Sequence, residues 1–184
     1  MTNHLARPII PAALKELRDT DDSGHTRAPF TDDEGGAPLR CCLRPSRSGE
    51  RLLLVSYAPL RRWAAESWAQ PGAYDEQGPV FIHAEECGGP AGGSGYPYTR
   101  PGALRTVRRY SSEGRILGGR LLELPENVDA GFEEAFDDAF ADTEVALVHV
   151  RAVEFGCFQF EVRRDWQAAQ TGRPADRPTC RPAG

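Results

Sequence analysis

The sequence predicts a single α+β domain: a mainly antiparallel sheet with a C-terminal amphipathic helix, about residues 127–141, packed on one face. Three observations predict it. Short apolar or alternating runs recur with Gly- and Ser-containing turns between them, the pattern of strands and hairpins. Phenylalanines at 132, 136 and 140 repeat at helical spacing. A length of 184 residues with 40% hydrophobic content suits one core and leaves little for a second.

The elements follow in order. Ile9 to Leu17 forms a short helix, with Ile10, Ala13, Leu14 and Leu17 on one side. Residues 20–37 are mostly polar, Gly and Pro, and read as a mobile loop, so 1–37 is an N-terminal extension to a domain spanning 38–168. Arg51 to Tyr57 is an apolar run of strand length, Leu60 to Gln70 a helix stopped by Pro71-Gly72, and Val80 to Ala84 a second strand. Leu104 to Tyr110 and Ile116 to Leu124, joined by Ser112-Glu113-Gly114, make a hairpin. Asn127 is a natural N-cap for the helix that follows, and Asp129 favours the positive end of its dipole. Glu133, Glu134, Asp137 and Asp138 occupy its solvated side. Val145 to Val153 and Cys157 to Val162 close the sheet; the tail over 169–184 has almost nothing to bury and reads as disordered.

Strand alternation then sorts the closing strands. Ala146, Val148 and Val150 share a face with Phe158, Phe160 and Val162, toward the phenylalanine stripe. The reverse face receives His149, Arg151, Cys157, Gln159 and Glu161. Such a face is ordinarily just wet, but its chemistry is also that of a ligand pocket.

Composition excludes several classes. A formal charge of -5 favours neither nucleic acid nor an anionic membrane. Lys15 is the only lysine, and the arginine richness needs no more than a G+C-rich genome. No stretch reaches the ~20 apolar residues of a membrane span, and the N-terminal residues lack the apolar core of a secretory signal. Five cysteines (41, 42, 87, 157 and 180) are an odd number, which suits reduced thiols in the cytoplasm.

Four ordered blocks carry a resemblance. These are CCLRPSRSGERLLLVSYAP from Cys41, GPVFIHAEEC from Gly78, LRTVRRYSSEGRIL from Leu104 and HVRAVEFGCFQFEV from His149. The chain resembles the bacterial family known as domain of unknown function 1203 over about residues 38–164. The resemblance implies a compact bacterial domain and supplies no catalytic residue or substrate. The stretch before Leu39 departs from it, a phenylalanine-rich leader being usual there.

Several motifs can be weighed against their chemistry. His83-Ala84-Glu85 matches the zinc-deaminase string, but the Pro-Cys-x-x-Cys that completes that metal site is missing. His83 and Cys87 stand four apart, and Cys42, His149 and Cys157 could join them through the fold, which leaves a metal-binding domain with His/Cys ligands open. No residue is assigned as a metal ligand on this basis. Gly88 to Gly95 lacks the Gly-Lys-Ser/Thr ending of a phosphate loop and reads as a flexible lid bearing Tyr96 and Tyr98. Trp63 is equally suited to the pocket or to the core.

The expected function is a small-molecule-binding protein with scope for cofactor-free acid-base catalysis on a polar or anionic substrate. His83 and His149 are the candidates for proton transfer, with Glu85 as runner-up and Cys157 as nucleophile. Arg151 orients a ligand carboxylate or phosphate, and Gln159, Tyr96, Tyr98 and Trp63 complete the ligand site. The alternatives are a non-catalytic protein-interaction module and the metal-binding domain. Oligomeric state is left open.

Overall fold

The computed structural model describes residues 4–92 and 95–164. In chain order its elements are α1 (Pro11–Asp19), β1 (Phe30–Asp32), β2 (Pro38–Leu39), β3 (Arg44–Pro45), β4 (Glu50–Tyr57) and α2 (Pro59–Ser67). After a 3-10 turn at Gly72–Tyr74 come β5 (Gly78–His83), β6 (Leu104–Ser111), β7 (Ile116–Glu123), α3 (Val128–Ala141), β8 (Val145–Ala152) and β9 (Phe158–Arg163). The α+β class and the single domain are as the sequence predicts.

The strands are divided between two sheets, where the sequence suggests one. The first runs β1-β4-β5-β2-β3 and the second β7-β6-β8-β9. Every pairing is antiparallel except β2 with β5. Residues 84–103 separate β5 from β6, too many for a hairpin turn, and this connection carries the chain from one sheet to the other.

Helix α3 starts where Asn127 accepts a hydrogen bond from the Ala130 amide at 3.2 Å. Its Phe132, Ala135, Phe136 and Ala139 pack on Val148, Val150, Phe160 and Val162 of the second sheet. The opposite face of that sheet is also covered. Tyr110 and Leu147 pack on Leu60, Trp63 and Ala64 of α2, and Phe158 joins the core of the first sheet, its ring 5.6 Å from that of Tyr57.

This corrects the expected wet face. His149 is fully buried, Glu161 and Gln159 nearly so. The expected parity is right for Phe160 and Val162 but not for Phe158. Glu161 stands opposite His149 and Phe160 opposite Val150, after which the register shifts and Phe158 stands opposite Arg151. That bulge turns Phe158 toward the His149 side, their rings 5.2 Å apart.

The N-terminal residues are also packed, where the sequence suggests a mobile loop over 20–37. Helix α1 buries Ala13, Leu14 and Leu17, and β1 pairs with β4. Between them the buried Asp21 carboxylate accepts from the amides of Ser23 (3.0 Å), His25 (3.0 Å) and Ser56 (3.1 Å), and pairs with Arg27. Segments poor in apolar residues can be ordered in this way, by satisfying backbone donors on one inward-facing carboxylate. The tail over 169–184 lies outside the described residues. No helix among the described residues is long and apolar enough to cross a membrane.

Candidate metal centre

Two pieces of chain meet at one end of the first sheet. The first is the turn after β2, which carries Cys41 and Cys42. Neighbouring side chains in extended backbone point apart, but here the chain reverses, with Leu43 in the left-handed region at φ 56°. Both sulfurs therefore come to the same side, with Sγ atoms 4.0 Å apart. The second piece is the end of β5 and the loop beyond it. His83 is the last residue of β5, and Cys87 follows just before Gly88 and Gly89, both at positive φ.

The His83 Nδ1 atom lies 3.3 Å from Cys41 Sγ and 3.8 Å from Cys42 Sγ. With Cys87 Sγ, all four ligand atoms fall within 4.8 Å of one another. A tetrahedral ion with Zn–S bonds of about 2.3 Å and a Zn–N bond of about 2.0 Å spaces its ligand atoms about 3.5–3.8 Å apart. Separations of 3.3, 3.8 and 4.0 Å among Cys41, Cys42 and His83 bracket that range, so a thiophilic ion fits among these atoms with small adjustments. Cys41 and Cys42 are buried and Cys87 is half-buried.

The groups around the four are those that tune a metal ligand. The far nitrogen of His83, Nε2, lies 3.3 Å from a Glu50 carboxylate oxygen. Arg44 Nη2 lies at the same distance from Nε2, so the paired Arg44 and Glu50 side chains flank the far side of the ring while Nδ1 faces the sulfurs. Glu50 is itself fixed by Arg44, through contacts of 2.7 and 3.0 Å, and by the Arg47 amide at 2.8 Å. The Arg44 guanidinium holds the Glu50 carboxyl well below the usual carboxylate range. The His83 amide also donates to Cys41 Sγ at 3.3 Å. Cys41 Sγ donates to Cys42 Sγ across their 4.0 Å contact. This hydrogen bond pulls the Cys42 thiol down, helped by His83 and Arg44, and pushes the Cys41 thiol up, as burial also does.

Helix α1 braces the centre from outside. Arg18 donates to the carbonyls of His83 (3.2 Å) and Glu85 (2.9 Å), and the Ile9 amide bonds the Arg40 carbonyl at 2.9 Å.

Of the ligand atoms the sequence allowed for, His83, Cys87 and Cys42 do converge. His149 and Cys157 do not, and Cys41 takes a place the sequence reading missed. Its signal was weak: adjacent cysteines are discounted as ligands because only a turn, not a strand or helix, can aim both at one point.

The other sequence-derived site residues are dispersed. His83 ends β5 in the first sheet, beside Glu50 and Cys41, whereas His149 lies in β8 of the second sheet among Tyr110, Phe158 and Glu161. Glu85 is exposed and pairs with Arg51. Trp63 is core. Tyr96 is also core, its ring among Phe132, Phe136 and Phe160. Tyr98 donates its hydroxyl to the Leu39 carbonyl and lies under the Arg40 guanidinium. These two tyrosines pin the second half of the glycine-rich connection to the domain, so they do not line a lid. Arg151, Cys157 and Gln159 do lie near one another, with Arg151 and Cys157 lining one cavity.

No curated protein and no solved structure matches the chain. Residues 36–164, which include all four ligands, match the family described as Protein of unknown function (DUF1203), and the chain belongs to that family.

Proposed function

We propose that this protein is a metal-binding domain whose ion is held by Cys41, Cys42, His83 and Cys87. The observation that carries this reading is the convergence of four soft ligand atoms within 4.8 Å from two segments about forty residues apart. Three thiols and one imidazole select a thiophilic ion of the zinc class over magnesium or calcium. Four protein ligands fill a tetrahedral ion, so the role is structural: the ion ties the β2 turn to the end of β5 at the edge of the first sheet's core. Thiolate ligands of this kind suit a reducing cytoplasm.

The test is elemental analysis of protein purified under reducing conditions, followed by cobalt substitution. The reading expects about one zinc-class ion per chain and cobalt spectra of tetrahedral thiolate ligation. It also expects Cys42→Ser and His83→Ala to lose the ion and melt at lower temperature. Protein that takes up no ion from a zinc buffer, and whose melting is indifferent to chelator, overturns it.

A further inference from the structure

A cavity of about 200 Å³, lined by none of the four candidate ligands, opens beside the turn between β8 and β9. Arg151 and Cys157 form its polar wall, with Tyr57, Phe155 and Phe158 as its apolar one. It is smaller than the roughly 300–1,000 Å³ of sites that take drug-sized molecules, so its occupant is small.

Cys157 Sγ accepts a hydrogen bond from Arg40 Nη2 at 3.3 Å and another from Gln159 Nε2 at 3.2 Å. Two N–H donors, one of them on a guanidinium, therefore converge on this sulfur and fix its position beside the cavity. Arg40 is only 1% exposed. It donates also to the carbonyls of Phe158, at 2.8 Å, and Pro38, and no carboxylate among the described residues is paired with it. A buried guanidinium without a counter-anion is costly.

The surroundings are positive as well. Arg105, Arg108 and Arg151 join Arg40, and the carboxylates set against these four are Glu76, shared by Arg108 and Arg151, and Glu154, 3.8 Å from Arg105. Arg151 also donates to the Gly156 carbonyl at 2.9 Å, which leaves its buried Nε without a partner. In a chain of net charge -5, this is a local excess of cations around a cavity and a thiol.

We propose that this cavity binds small organic anions and that Cys157 is the nucleophile attacking an electrophilic carbon on them. The sulfur lone pair forms the new C–S bond, the thiol proton passes to solvent, the carbon's bond to its leaving group breaks, and that group departs with the bonding pair. Arg151 holds the carboxylate meanwhile. This proposal is independent of the metal centre and stands even if no ion binds there.

Iodoacetate and its neutral analogue iodoacetamide test it, with alkylation of each cysteine in the full chain followed by peptide mass mapping. Iodide is the leaving group in both, so only the carboxylate distinguishes them. The expected result is that Cys157 prefers iodoacetate, relative to the preference of free glutathione under the same conditions, by about tenfold. Arg151→Met should remove that preference, and unreactive propionate should slow iodoacetate at Cys157. Arg151→Lys, which retains the charge if methionine perturbs folding, should keep part of it. Equal relative rates at Cys157 and glutathione, or a preference unchanged in Arg151→Met, overturns the proposal.

Discussion

Glu50 is a sharp probe of the candidate centre because it touches the imidazole and none of the sulfurs. Its carboxylate lies 3.3 Å from His83 Nε2 and is clamped by Arg44. Replacing it with glutamine keeps the shape and removes the carboxylate charge beside the ring. Glu50→Gln should weaken metal affinity about 10- to 100-fold, read by competition against a chromophoric chelator, while the melting temperature of the metal-free protein stays close to that of the parent. Equal affinities in the two proteins would remove Glu50 from the site. Cys41 teaches a related lesson. Sequence spacing brings out His83 and Cys87 because both lie on one short stretch, but the use of two adjacent thiols depends on a backbone reversal after Cys42. Propensity alone gives little warning of a left-handed leucine.

Helix α3 was the clearest element in the sequence, and its cap and buried stripe stand where periodicity puts them. Its one glycine shows what periodicity leaves out. A mid-helix glycine ordinarily invites replacement by alanine, worth about 1 kcal/mol in helix propensity. At Gly131 an added Cβ would lie 2.5 Å from Pro125 Cδ and 2.7 Å from its Cγ. A proline ring cannot swing aside as a long side chain can, so the helix or the chain entering it must shift. Gly131→Ala should therefore lower the melting temperature by several degrees, an overpacking cost of about 1–3 kcal/mol exceeding the propensity gain. A rise in melting temperature would show that the Pro125 contact yields easily. The bulge in β9 makes the same point for strands. Alternation assigns Phe158 and Phe160 to one face, and one extra residue in the ladder separates them.

The layered assembly, with the second sheet covered on both sides, also sets how stability depends on pH. His149 is wholly buried and both ring nitrogens lack a hydrogen-bond partner, the nearest carboxylate oxygen, of Glu161, being 3.7 Å away. Burial lowers its pKa, as do Arg151 and Arg108, and these outweigh the opposing pull of Glu161. The unfolded chain then binds a proton near pH 6.5 that the folded chain refuses. Stability contributed by the neutral ring is complete above that pH and declines as pH falls through it toward the lower folded value, by up to about 1.4 kcal/mol per pH unit. Glu161 acts in the same sense at lower pH: burial alone would raise its pKa, but the Arg163 guanidinium, paired with it at 2.6 Å, holds it down. Chemical denaturation of the parent and of His149→Phe between pH 5 and 7.5 should show a steeper acid loss in the parent. Parallel curves would mean that His149 takes up its proton inside the folded core.

The amino-acid sequence by itself determined the fold class, the helices and strands from residue 51 onward, and the family, because these rest on local periodicity, turn chemistry and ordered blocks. It left undecided the division of the strands into two sheets, the packing of residues before 38 and the burial of the polar face. Only the tertiary structure decided where the chemistry gathers, since Cys41 and Cys42 meet His83 and Cys87, and Arg40 meets Cys157, across separations at which neighbouring residue types carry no signal. The physical reason is that local preferences act over a few residues, whereas a site is assembled by long-range contacts whose register one bulge or one turn can change.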